Sequence, residues 1–390
     1  MSTIKAKALL KQGKDFHDKE SYEKAIDCFR QALKLNPFNH DALFELSKSL
    51  IKLENYEETI ESLKKALKLS PGNENIFFEL GNTYLLLNDY KNAEEIFRDA
   101  AKCHPSSLQI LKKLADICFF QQKYDIAKKI YQKIFSFKKN DPDVILCLNK
   151  IFIKNQEFDE SVKLLNYSLQ FFPDNIDILY EFSKTNLLQK KFSQTLSILN
   201  KIVNLDSKNH VALHDIGKIY YKAKDFDTAI SFFKRALSFN KTNGELFLDI
   251  GMCYLKLKDL ENAEKMLENT IIIDKNNLKA LHELGLIYLN KKNYSLAIEF
   301  LEKVKQSETG DFNLLSNLAL AYSMTGNNST AITYYEQILT SYAPPVNSGG
   351  EVVPEHRGFL NTNKVWLNLA KLYEKVGDFS QARGCYFNFL

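Results

Sequence analysis

The stretch Ala280–Ile298, ALHELGLIYLNKKNYSLAI, returns in altered form every 34 residues. Leu281, Leu284, Gly285, Tyr288, Tyr294 and Ala297 set its pattern. One period earlier stand Phe247, Ile250, Gly251, Tyr254, Leu260 and Ala263, and two periods earlier Leu213, Ile216, Gly217, Tyr220, Phe226 and Ala229. Ten copies run without an insertion, from Ala6, His40, Glu74, Leu108, Pro142, Ile176, His210, Gly244, Leu278 and Phe312, and an eleventh resumes at Asn363 after 17 residues. A fixed period of this length means one supersecondary unit stacked many times, because a single unit cannot bury its own apolar face.

Two columns are small throughout. The eighth position reads Gly13, Ser47, Gly81, Ala115, Asn149, Ser183, Gly217, Gly251, Gly285, Ala319 and Ala370, with Asn149 the exception. The twentieth reads Ala25, Thr59, Ala93, Ala127, Ser161, Thr195, Ala229, Ala263, Ala297, Ala331 and Ala382. Small residues here let two helices of one unit approach closely, while large neighbours fill the contact. The pattern resembles the tetratricopeptide repeat, a helix–turn–helix unit of 34 residues. The aromatic that follows the small residue in that family stands here as Phe16, Tyr84, Phe152, Tyr220, Tyr254, Tyr288, Tyr322 and Tyr373. The late proline stands as Pro37, Pro71, Pro105 and Pro173, and the opening tryptophan only as Trp366. The resemblance implies an all-α, right-handed superhelical solenoid of about eleven repeats. Ten contiguous repeats fill residues 1–345, a loop insertion takes 346–362, and an incomplete, uncapped eleventh repeat takes 363–390.

Composition agrees with nearly continuous helix: only 14 glycines and 8 prolines occur in 390 residues. With 52 basic and 48 acidic residues the formal charge is +4, and no long Lys/Arg run supplies the basic stripe of a nucleic-acid binder. No nucleic-acid partner is expected. The cysteines, Cys28, Cys103, Cys118, Cys147, Cys253 and Cys385, are scattered without a C-x-x-C pair and read as buried, reduced thiols. The N-terminus lacks the apolar core of a secretory signal, and no apolar run is long enough to span a bilayer. A soluble, cytoplasmic protein without membrane insertion is expected.

Between the two helices of each unit lies a short polar turn such as LENY, LNDY, AKDF or KKNY, whose Asn and Asp suit helix caps and unusual backbone angles. An aromatic then opens the second helix in most copies, with Leu260 and Asn328 breaking that column. The 346–362 segment, VNSGGEVVPEHRGFLNT, reads as a loop at a unit boundary. The chain stops within the second helix of the eleventh copy, leaving Tyr386, Phe387, Phe389 and Leu390 in need of cover. A longer chain, another molecule or self-association through this end would each provide it.

Catalytic signatures are missing. There is no phosphate-binding glycine loop, no G-x-S-x-G elbow and no H-E-x-x-H. His210 and His214 are four residues apart and can share a helix face, but no third ligand lies near them in sequence, so no metal site is expected. His356-Arg357 is a weak anion signal. The carboxylates fall on solvated helix positions. No catalysis, cofactor or metal is expected.

The informative variation is on the first helix of each unit, which in proteins of the resembled family lines the concave face. The sixth position reads Lys11, Glu45, Glu79, Lys113, Cys147, Glu181, Asp215, Asp249, Glu283, Asn317 and Asn368. Three residues on stand Lys14, Lys48, Lys150, Lys184, Lys218 and Lys371, and one residue before stand Phe44, Phe78, Tyr180, His214 and His282. Glu45–Lys48, Glu181–Lys184 and Asp215–Lys218 are also spaced as local helix-stabilising pairs. The expected function is a non-catalytic scaffold binding protein or peptide segments in this groove through Phe44, Glu45, Lys48, Phe78, Glu79, Tyr180, Glu181, Lys184, His214, Asp215, Lys218, Asp249, His282 and Glu283. The alternative is a substrate-recruiting or regulatory arm of a larger, glycosyltransferase-like enzyme. No three successive copies supply the residues of a chaperone-docking carboxylate clamp. The asparagine ladder of O-GlcNAc-transferring enzymes is represented only by Asn317 and Asn368.

Overall fold

A computed structural model describes residues 2–307, 312–342 and 363–389. The 346–362 insertion, with His356 and Arg357, lies outside the described residues, as does Leu390. All regular structure among the described residues is α-helical, and each sequence copy is a pair of helices, A then B. The A helices are α1 (Ser2–Asp18), α3 (His40–Lys52), α5 (Glu74–Leu86), α7 (Leu108–Phe120), α9 (Pro142–Lys154), α11 (Ile176–Leu188), α13 (His210–Lys222), α15 (Gly244–Lys256), α17 (Leu278–Asn290), α19 (Phe312–Met324) and α21 (Asn363–Val376). The B helices are α2 (Tyr22–Leu35), α4 (Tyr56–Leu69), α6 (Tyr90–Cys103), α8 (Tyr124–Phe137), α10 (Phe158–Ser168), α12 (Phe192–Leu205), α14 (Phe226–Phe239), α16 (Leu260–Ile273), α18 (Tyr294–Ser307), α20 (Asn328–Tyr342) and α22 (Phe379–Phe389). The helices group into two compact units, Met1–Lys191 and Phe192–Leu390. Within each unit, helix A packs on its own helix B, which packs on the next helix A.

Polar residues start and stop the helices at fixed places. The A helices are capped by Asn39, Asn73, Ser107, Asp141, Asn175, Asn209, Asn243 and Asn277, whose side chains accept from backbone N–H groups of the first turn. The B helices are capped the same way by Asn55, Asp89, Asp225 and Asp259. These satisfy donors that the helix itself leaves open. The unusual backbone angle of the A–B turn, however, falls one residue earlier than the capping Asn or Asp. Glu20, Glu54, Asn88, Gln122, Gln156, Lys190, Lys224, Lys258 and Lys292 all adopt φ between 57° and 64°, and Gly326 and Gly377 stand at 84° and 85°. The following N–H then closes the turn, for example Asp225 N onto the Tyr220 carbonyl at 3.0 Å and Asp259 N onto that of Tyr254 at 2.9 Å. This is the left-handed helix stop that glycine usually supplies. Holding lysine there costs about 1–2 kcal/mol, and glycine's extra unfolded-state freedom returns about 0.4–1. Lys258→Gly is therefore expected to stabilise the protein by roughly 0.5–1 kcal/mol, and Gly326→Lys to lose about as much, read as shifts in urea midpoint.

In the glycine-bearing copies the core of the helix pair is a contact between the eighth position and the residue sixteen further on. Gly13, Gly81 and Gly217 lie so close to Phe29, Phe97 and Phe233 that an added methyl would fall within 3.0 Å of each ring. Elsewhere the sequence sets Ala115 with Tyr131, Ala319 with Tyr335, Ser47 with Leu63 and Asn149 with Leu165 at the same two positions. Nearly all of these side chains are fully buried. In each of these pairs a small or medium residue packs against a large one, and Gly251 and Gly285 meet Leu267 and Leu301 in the same way, as close-packed interiors require. Of the cysteines, Cys28, Cys118, Cys253 and Cys385 are buried, whereas Cys147 is half-buried and Cys103 is exposed at the end of α6, which corrects the expectation of uniformly buried thiols.

Candidate partner-binding face

In the first unit, α1, α3, α5 and α7 bring one charged and aromatic face together. Positions five and six of each copy each share a helix face with position nine, four and three residues further on. Glu45, whose side chain is only 13% exposed, receives Lys48 at 2.9 Å from its own helix and Lys14 at 3.1 Å from α1. Burial opposes its ionisation, but the two ammonium groups more than offset this and hold its carboxyl below the usual range. Lys48 also covers the Phe44 ring at 5.5 Å, and Lys113 of α7 covers Phe78 of α5 at 5.7 Å. Phe44 and Phe78 rest partly on the core and leave the rest of their surface to the face.

Glu79 contrasts with Glu45. It is half-buried, and burial pushes its carboxyl above the ordinary range, with only the charge of Lys48 acting in the other direction. A carboxyl whose folded pKa is raised binds its proton more tightly when folded. Its contribution to stability is complete below the unfolded pKa and is lost as pH rises through the folded one. Glu79→Gln is therefore expected to raise the melting temperature at pH 7 slightly. The gain should disappear when wild type and variant are compared below pH 4, in thermal melts followed by circular dichroism.

Further along this unit, Tyr131 of α8 donates its hydroxyl to Asp116 on α7. Burial, with that carboxylate, pushes the phenol up and out of the titrating range. Cys147 lies beside it, its thiol raised mainly by burial. On α11, Lys184 stands over the Tyr180 ring at 4.5 Å and bonds Glu181 at 2.9 Å. The other Glu181 oxygen accepts from Asn149 of α9 at 3.1 Å. Asn149 in turn accepts from Ser161 at 2.5 Å, and Ser161 meets Thr185 at 3.0 Å, so the one large residue of the eighth column closes a buried polar chain.

In the second unit the face is built on α13, α15 and α17. His214 Nε2 lies 2.7 Å from Asp249 Oδ2, with the imidazole held edge-on against Phe233 at 5.4 Å. Lys218, which the spacing pairs with Asp215, reaches across the helices to Glu245 at 2.8 Å; Glu245 and His214 therefore belong to one cluster. Glu245 was not singled out by any repeat column, because it is the second residue of its copy and not at position five, six or nine. His282 and Glu283 are half-buried on α17, 3.9 Å apart. Asn317 and Asn368 line one cavity of about 380 Å³ with Phe312, Asn313, Lys364 and Tyr335. The Asn368 amide donates to the Tyr335 hydroxyl at 3.3 Å.

Comparison with known proteins bears on this architecture. Sequence profiles described as tetratricopeptide repeat match residues 10–74, 50–109, 220–286, 278–308 and 314–345. The chain belongs to the tetratricopeptide repeat family. Its fold is the all-α repeat solenoid of that family. The C-terminal part of a tetratricopeptide repeat-containing protein from Cytophaga hutchinsonii is similar over 62% of this chain and 99% of its own, at 16% identity and a TM-score of 0.54. The structure of Naa15/Naa10 bound to HypK-THB is similar over 97% of this chain and 62% of its own, at 14% identity and a TM-score of 0.50. No curated protein matches the chain at a significant level. Among the described residues no helix is long and apolar enough to cross a membrane.

Proposed function

We propose that this tetratricopeptide repeat protein is a non-catalytic interaction scaffold that holds protein or peptide segments against the A-helix face of its repeats. The observation that carries the reading is a division of labour within each copy. Residues such as Leu281, Leu284, Gly285 and Ala297 are spent on the core and recur from copy to copy. Phe44, Glu79, Tyr180, Glu181, Asp249 and Glu283 keep surface at the face and change from copy to copy. Half-buried carboxylates beside aromatic rings suit basic side chains on a partner, since an opposite charge in a partly desolvated setting interacts more strongly than on an open surface. An extended segment that orders on binding can follow such a face over several repeats.

The experiment is a pull-down from native extract with the full chain, comparing wild type with the reversal variant Glu181→Lys, Asp215→Lys, Asp249→Lys and Glu283→Lys. A control carries Glu261→Lys on the exposed side of α16. The reversal variant should lose its partner while keeping the helical circular dichroism of wild type, and the control should retain it. Equal recovery by all three proteins would remove the A-helix face from consideration.

A further inference from the structure

We infer that His214, Glu245 and Asp249 form a binding site for a divalent ion of the zinc class. One ligand atom from each of these residues lies within 4.8 Å of the others. Glu245 and Asp249 are four residues apart on α15, so successive turns put both carboxylates on one side of that helix. His214 faces them from α13, and its ring is already oriented by Phe233 and by the bond from Nε2 to Asp249. His214 is 8% exposed and the Glu245 side chain 58% exposed, so the cluster runs from the core edge to solvent.

The chemistry of the donor set narrows the ion. One imidazole and two carboxylates suit Zn²⁺ or a neighbouring first-row ion, whereas Mg²⁺ and Ca²⁺ prefer oxygen alone. Three protein ligands leave a fourth position open, the arrangement of zinc sites that take an exogenous group. Zinc bonds of about 2.0–2.2 Å separate adjacent donors by more than the present His214–Asp249 contact, so the ion enters by opening that hydrogen bond. A cation is already held here: the Lys218 ammonium sits on Glu245 at 2.8 Å. It is the competitor that an entering ion displaces, which gives the site a testable signature that a structural His–Asp pair lacks. The sequence hid this arrangement because the ligands come from two copies, 31 and 35 residues apart, while the visible His210–His214 pair does not form it.

The test is calorimetric titration of the chelator-treated full-length protein with Zn²⁺ alone. One equivalent should bind to wild type. Removing even an outer partner of a metal ligand costs about 10–100-fold in affinity, so His214→Ala and Asp249→Asn should each lose more than about a hundredfold. Glu245→Gln, at an exposed position, supplies a variant whose folding is not in question and should also weaken binding. Lys218→Met should bind zinc more tightly than wild type, while His210→Ala and Cys103→Ser should bind as wild type does. Absence of zinc uptake by wild type, uptake that survives Glu245→Gln and Asp249→Asn together, or uptake lost in Cys103→Ser would overturn the assignment. The titration involves no protein partner, so its outcome is independent of the pull-down.

Discussion

Replacing Phe97 with alanine is expected to destabilise the protein by about 3–5 kcal/mol. The ring is fully buried, packs edge-on against Phe78 at 6.0 Å, and fills the space that Gly81 leaves open. The same contact makes Gly81→Ser costly on its own, by about 1–3 kcal/mol, because its new side chain collides with that ring. Phe97→Leu alone should lose about 1–2 kcal/mol by opening a cavity. The double variant Gly81→Ser with Phe97→Leu recreates the Ser47–Leu63 pair of the second copy. It should therefore lose clearly less than the sum of the single changes, a coupling that residues in direct contact show. Urea denaturation of the four proteins provides the cycle, and hydrogen exchange over residues 74–107 locates the loss. Strict additivity would mean that the two columns do not pack as a unit. A stacked array distributes such a loss to its neighbours, so protection should also fall in the adjoining helix pairs.

This contact also marks where reading the chain as letters reaches its limit. The period, the small eighth and twentieth positions and the capping Asn and Asp were legible because each acts alone. Their requirement is size or a side-chain oxygen, and it repeats at one place in every copy. The fit of Phe97 into the space left by Gly81 was present in the letters but becomes visible only when two columns are compared together. The left-handed turn residues were not legible: nothing in the chemistry of Glu54, Gln122 or Lys224 favours positive φ, and the closing backbone bond imposes it. The face was legible in its members and less so in its partnerships. Glu45–Lys48 and Glu181–Lys184 form within their helices as spaced, while Lys218 also reaches Glu245 and His214 reaches Asp249 on the next A helix. Long side chains at a helix–helix boundary choose between neighbours on two helices, and a linear period specifies only one of them.

Asn149→Ala is expected to cost about 2–3 kcal/mol, combining a lost hydrogen bond to a charged group with a small cavity. Asn149, Ser161 and Thr185 are fully buried, so no water replaces the missing amide. Asn149→Leu restores the volume without the hydrogen bonds and thereby separates packing from polarity. If it is no less destabilising than alanine, the buried bonds dominate; if it recovers most of the loss, the volume does. The same substitution reaches the proposed binding face. Asn149 holds one oxygen of Glu181 at 3.1 Å while Lys184 holds the other at 2.9 Å, so the carboxylate is fixed from both sides before any partner arrives. Removing the amide frees Glu181 to turn, and a partner that uses this carboxylate must then order it on binding. Such ordering costs about 0.5–1.5 kcal/mol for a flexible side chain, or roughly three- to tenfold in affinity. Asn149→Ala should therefore weaken partner binding by about that factor, and Glu181→Gln by more, both measured at a temperature where each variant is fully folded. Unchanged affinity in both would assign the Asn149–Glu181 bond to stability alone and move partner recognition in the first unit to the face around Phe44, Phe78 and Glu79.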